Sequence, residues 1–158
     1  MSRRLKRAGH RLGWFNLCSV NIPLRPGGAN TTHSQGRDWT TRNTLQTMTT
    51  LSNLISALII VESSGNDLAI GDNGRAVGPL QIHRGVVLDV NRFTGSNYRW
   101  EAMTNRAQAR AVCQAYLTHY GKNKTTEEQA RIWNGGPQGH KKKTATQAYW
   151  LKVQRNLK

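Results

Sequence analysis

Acidic side chains are scarce: 8 Asp and Glu stand against 23 Lys and Arg in 158 residues, a formal charge of +15. A chain so charged seeks polyanions, whether nucleic acid, anionic lipid or an anionic cell wall. Cysteine is nearly absent too. Cys18 and Cys113 lie far apart, with no CxxC and no zinc spacing, which excludes a disulfide framework. Long apolar runs are missing. The densest, Leu58-Ile59-Ile60-Val61, falls far short of the ~20 residues of a membrane span, so no stable membrane insertion is expected. With 37% hydrophobic and 20% charged residues the chain is not wholly disordered either. Its length suits one domain able to bury a core without disulfides or metals.

The charge is uneven. Residues 1–48 carry eight basic side chains and one acid, Asp38, whereas the remainder carries 15 basic and 7 acidic groups. The first segment shows no helical or strand periodicity, and it is punctuated by Pro23, Pro26-Gly27-Gly28 and a polar run from Asn30 to Gly36. Such a composition cannot offset the entropy of ordering, so residues 1–48 read as a basic, largely disordered leader. The stretch Leu12–Cys18 is too short and too polar for a secretory h-region. A transit-like or nucleic-acid-binding tail stays open, as does a true start at Met48. The domain itself is expected over 49–158.

From Thr50 the pattern becomes organised. Ser52 is a candidate N-cap for a helix that places Ile55, Leu58, Ile59 and Glu62 on one face and stops at Gly65. Gly71-Asp72-Asn73-Gly74 reads as a hairpin turn, followed by a short, irregular sheet piece to Ile82. Helices are predicted over about 85–90, over 105–120 with Val112, Ala115 and Tyr116 inward and Gly121 closing, and from a Thr125/Glu128 capping box to near Trp133. A last one is predicted over 144–156, burying Tyr149 and Val153. The fold class is mainly α with a small β-hairpin element.

With so few acids, each can be weighed. After Met48, Asp67, Asp72, Asp89, Glu101, Glu127 and Glu128 suit turns, helix first turns or polar surroundings. Glu62 does not. It shares the apolar stripe of its helix and sits in the last turn, where the helix dipole disfavours negative charge. Desolvation and unpaired carbonyls both raise a carboxyl pKa, which is how a glutamate becomes a general acid near neutral pH. The plainer reading is a helix-end glutamate turned to water or paired with an arginine.

Four segments add to this: Glu62-Ser63-Ser64-Gly65-Asn66, Gly78-Pro79-Leu80-Gln81-Ile82, Ile132-Trp133-Asn134-Gly135-Gly136-Pro137 and Tyr149-Trp150-Leu151-Lys152-Val153. In this order and spacing they resemble the lysozyme-like lytic transglycosylase family, to which goose-type lysozymes are related by fold. The likeness covers about residues 52–155. It implies an α+β lysozyme-like fold, with Glu62 as general acid/base and Ser63 lining a sugar cleft. Gly78, Gln81 and Ile82 would run along the substrate, and Asn134 and Tyr149 would flank the carboxyl. Each has a plainer alternative: Asn134 as a cap, Gln81 as a strand partner, Tyr149 as core.

The sequence also departs from the family. Pro79-Leu80 replaces a common Leu-Met pair, and Asn-Gly-Gly-Pro replaces Asn-Ala-Gly. Of the extra aspartates in goose-type members, Asp72 matches one by spacing, while His83 stands in the place of the other.

The implied substrate is the β-1,4 bond between N-acetylmuramic acid and N-acetylglucosamine in peptidoglycan, cleaved without a cofactor or metal by a monomer at the cell envelope or outside it. The favoured route forms a 1,6-anhydro ring and needs no second carboxylate. The alternative is an inverting hydrolase, which needs a base about 6.5–9.5 Å away; Asp72 is the candidate auxiliary. Trp100, Trp133 and Trp150 offer sugar-stacking faces, Trp133 foremost because it adjoins Asn134. Lys141-Lys142-Lys143 reads as a solvated loop or a wall-binding cluster. His10, His33, His83, His119 and His140 fall at no metal-ligand spacing. Two non-enzymatic classes remain, a basic nucleic-acid-binding protein and a non-catalytic wall binder. Both leave an acid on an apolar stripe unexplained.

Overall fold

The computed structural model describes the backbone of residues 39–158 and the side chains of residue 48 and residues 50–158. The readings made for residues 1–38, including Cys18, His10 and His33, lie outside the described residues. The remainder is mainly helical with one small sheet. Helix α1 spans Trp39–Ser63. Strands β1 (Ile70–Gly71), β2 (Ala76–Val77) and β3 (Ile82–His83) form an antiparallel sheet in sequential order, with Ile70 opposite Val77 and Ala76 opposite His83. Helices α2 (Arg84–Thr94), α3 (Arg106–Tyr120), α4 (Thr126–Gly135) and α5 (Lys143–Asn156) complete the chain. Single 3-10 turns precede α3 at Trp100–Thr104 and α5 at Gly139–Lys141.

Local chemistry accounts for most boundaries. Asn105 caps α3 by accepting from the Gln108 amide, and Gly121 closes that helix. Thr125 and Glu128 form a reciprocal capping box, the Glu128 carboxylate accepting from the Thr125 amide at 2.9 Å. The helix predicted over 85–90 is longer at both ends, closing on a left-handed Gly95.

The expected N-cap at Ser52 is corrected. Ser52 lies inside α1, and its hydroxyl accepts sideways from Arg110 Nη2 at 3.2 Å. No Pro or Gly stands between Arg37 and Ser63, so nothing in the chain stops the helix from starting at Trp39. The predicted boundary at 48/49 therefore falls within a continuous helix.

The core explains where α1 must lie. Leu54, Leu58, Leu80, Ile82, Val90, Met103, Val112, Leu117, Ile132 and Val153 are fully buried, drawing on every helix and on the sheet. Helix α1 packs against α3, α4 and α5, while α2 packs on α3 and α4 on α5. The C-terminal end of α1 is thus surrounded by helices that bring polar side chains to it.

Candidate active site

Helix α1 ends just beyond Glu62. Ser64 and Gly65 adopt left-handed conformations, and their amides donate back to the Ile60 and Ile59 carbonyls. The stripe below is buried: Ile55, Leu58 and Ile59 are at most 3% exposed, and Glu62 at its upper end is partly buried. The Tyr149 hydroxyl of α5 donates to Glu62 Oε1 at 2.6 Å, a charge-assisted bond between residues 87 apart in sequence. The Trp133 indole N–H of α4 faces the same carboxylate as a second donor.

The electrostatics follow from this placement. Burial raises the Glu62 pKa above the ordinary carboxylate value, and the bonds from Tyr149 and Trp133 pull it only partly back. Tyr149 is pushed well up, first by its own burial and then by the Glu62 charge, so its hydroxyl keeps its proton and stays a donor. Beneath lies Cys113 in α3, fully buried, its thiol raised by burial and then by Glu62. Tyr116 meets Trp133 edge to face at 5.8 Å, fixing the indole plane.

A further feature sets Glu62 apart. Among the described residues, Asp67, Asp72, Asp89, Glu101, Glu127 and Glu128 each pair with an arginine or lysine. Glu62 has no such cation, and its partners are the neutral donors Tyr149 and Trp133. A carboxyl group without a counter-charge in a partly desolvated place is suited to cycling between acid and base.

The other candidates are placed as follows. Ser63 Oγ donates to the Pro79 carbonyl at 2.9 Å and faces the Ile59 carbonyl, tying the helix end to the turn before β3. Gly78 has φ +79°, and a Cβ there would collide with the Met103 carbonyl. The Gln81 amide donates to the carbonyls of Gly78 at 2.9 Å and Ala69 at 3.2 Å, so it stitches the hairpin. Ile82 is fully buried and its carbonyl accepts from Trp100 Nε1 at 2.7 Å, which leaves its side chain in the core.

Asn134 is exposed next to Trp133 and makes no side-chain hydrogen bond to the described residues. Asp72 lies in the turn between β1 and β2. There it bonds Arg75 at 2.7 Å and faces His83 Nε2 at 3.5 Å, without contact to Glu62, Tyr149 or Trp133. Trp100 is occupied by the Arg84 guanidinium over its ring at 5.3 Å, and Trp150 packs against the core.

The structure thus brings together Glu62, Trp133 and Tyr149 from α1, α4 and α5, while Asn134 is connected to them only as the chain neighbour of Trp133. Sequence reasoning missed Cys113 and Tyr116 beneath them. The 3.6-residue spacing of α3 marks Tyr116 as inward, but carries no sign that it or Cys113 underlies a site. Surface hollows of about 600 and 840 Å³ lie along α3, among Thr118, Lys122 and their neighbours, and none of the candidate residues lines them. Among the described residues no three His, Cys, Asp or Glu side chains are grouped to hold a metal, and no helix is long and apolar enough to cross a membrane.

The Tyr149 bond gives the first testable consequence. Tyr149→Phe removes a donor that favours ionised Glu62 while leaving its burial, so the Glu62 titration midpoint should move further up. An NMR titration of the Glu62 side-chain carboxyl checks it, and a downward move would contradict the geometry described. Comparison with protein-family models gave no match, and comparison with curated protein sequences gave none.

Proposed function

We propose that this protein cleaves the β-1,4 bond between N-acetylmuramic acid and N-acetylglucosamine in peptidoglycan, with Glu62 as the single acid/base. The observation that carries the reading is the carboxyl of Glu62: on an apolar stripe, raised by burial, bonded by Tyr149 and without a cation. The resemblance of four segments to lytic transglycosylases supports it, as does a mainly helical fold with a small antiparallel sheet.

The chemistry is a proton exchange at one carboxyl. Protonated Glu62 donates to the glycosidic oxygen as the C1–O bond breaks and positive charge develops on the muramic ring. The 2-acetamido group stabilises that charge. The carboxylate left behind, held by the Tyr149 hydroxyl, takes the proton of the muramic 6-hydroxyl as O6 bonds to C1. Glu62 ends protonated again, and no water is consumed. In this reading Trp133 and Asn134, neighbours in the last turn of α4, contact the sugar, and the excess of basic side chains draws the protein to an anionic wall.

Asp72 decides between this and hydrolysis. An inverting hydrolase requires a free base to hold water, whereas Asp72 is bonded to Arg75 and faces His83. Asp72→Asn should therefore clear a suspension of purified peptidoglycan within about threefold of the parent rate, a change of well under 1 kcal/mol in barrier. A loss approaching that of a Glu62 variant would make the hydrolytic route the better one.

A further inference from the structure

The most elaborate polar network among the described residues lies behind the site. Arg131 of α4 is 2% exposed, yet its guanidinium is fully engaged. Nε donates to Glu127 Oε1 at 2.8 Å on its own helix. Nη2 pairs with the same oxygen at 2.7 Å, and the bonds to α5 are Nη1 to the Lys143 carbonyl at 2.7 Å and to Thr146 Oγ1 at 2.8 Å, and Nη2 to Gln147 Oε1 at 2.6 Å. Thr146, itself buried, donates its hydroxyl to the Lys142 carbonyl at 2.8 Å. One planar fork thus bolts the first turn of α5 to the middle of α4.

Those two helices carry the donors to Glu62. Trp133 lies two residues beyond Arg131 on α4, and Tyr149 lies two residues beyond Gln147 on α5. A burial this complete demands good geometry, because an unsatisfied buried guanidinium is costly. The α4–α5 offset is therefore sharply set, and with it the reach of Tyr149 Oη to Glu62.

We propose that Arg131 is a positioning residue for the Glu62 site, acting through Tyr149. This rests on Glu62 being the reactive carboxyl, but its first test needs no peptidoglycan. Arg131→Lys keeps the charge and loses the fork. The Glu62 midpoint, followed by NMR in the full chain, should move up, the same direction as in Tyr149→Phe. In a Tyr149→Phe background, Arg131→Lys should move it no further. Glu127→Gln, which keeps an acceptor for Nε and leaves the α5 bonds alone, should leave the midpoint in place.

On peptidoglycan the same variant should lower kcat about tenfold with KM within about twofold, the mark of a lost transition-state arrangement. If Arg131→Lys does not fold, the pair Thr146→Val and Gln147→Ala removes the two side-chain anchors on α5 instead, leaving the Lys143 carbonyl, with a shift in the same direction expected. Equal shifts in both backgrounds, or none, would overturn the proposal. A coupled shift in a chain that does not cleave peptidoglycan would uphold the positioning role and reject the proposed reaction.

Discussion

Replacing Glu62 with Gln should reduce peptidoglycan cleavage by about a thousandfold or more, within the upper range for removal of a general acid. At neutral pH the variant should melt at the parent's temperature or above it. The folded state holds the Glu62 pKa above the ordinary carboxylate value, so between the unfolded and folded values the folded chain binds the extra proton. The stability contributed by the neutral carboxyl is therefore full below the unfolded value and is lost as pH rises through the folded one. Gln escapes that loss. Its advantage should be present at pH 7 and vanish at acid pH, where the parent carboxyl is protonated in both states. Thermal melts of the two proteins across pH decide the matter. A Gln variant that is less stable at neutral pH would mean that the carboxylate is a structural anchor.

The second large effect is expected at Gly78. Its φ of +79° and the Met103 carbonyl facing it leave no place for a Cβ, and carbonyl backbone cannot yield as a flexible side chain would. Gly78→Ala should cost on the order of 3 kcal/mol, a fall of about 12 °C at ~4 °C per kcal/mol. Gly74 makes a sharp control. It has φ +83° but open space around it, so Gly74→Ala carries only the left-handed strain of ~1 kcal/mol. Activity should fall with Gly78→Ala as well, because the Pro79 carbonyl that receives Ser63 Oγ follows directly. Equal melting temperatures for the two variants would show that the turn relaxes and that close approach to Met103 is not what requires glycine.

What the sequence disclosed was what is encoded locally. The Thr125/Glu128 box, the Gly121 stop of α3 and the glycine-rich turn are decided by residues within four positions of one another, and each stands where the pattern puts it. The acid on the apolar stripe was legible for the same reason, since a 3.6-residue period carries Glu62 onto the face of Ile55 and Ile59. The start of α1 was not, because a serine that looks like a cap is equally content to accept from Arg110 across the helix surface. Nor were the 3-10 turns, which are too short to show a period.

Arg131 shows the limit most plainly. In sequence it is one more basic residue in a helix, and only the approach of α5 turns it into a buried fork. Ile82 and Gln81 illustrate the converse. Family likeness placed them along a substrate, whereas the fold uses the first as core and spends the amide of the second on its own hairpin.

The most direct test of the central claim is the mass of the products released from purified peptidoglycan by the full chain, with Glu62→Gln as control. Intramolecular ring closure yields muropeptides one water lighter than reducing ones, formed by the parent and absent with the variant. Reducing products would contradict the intramolecular route and return Asp72 to the mechanism. No release at all, together with DNA binding that weakens steeply with salt, would contradict the enzymatic reading itself.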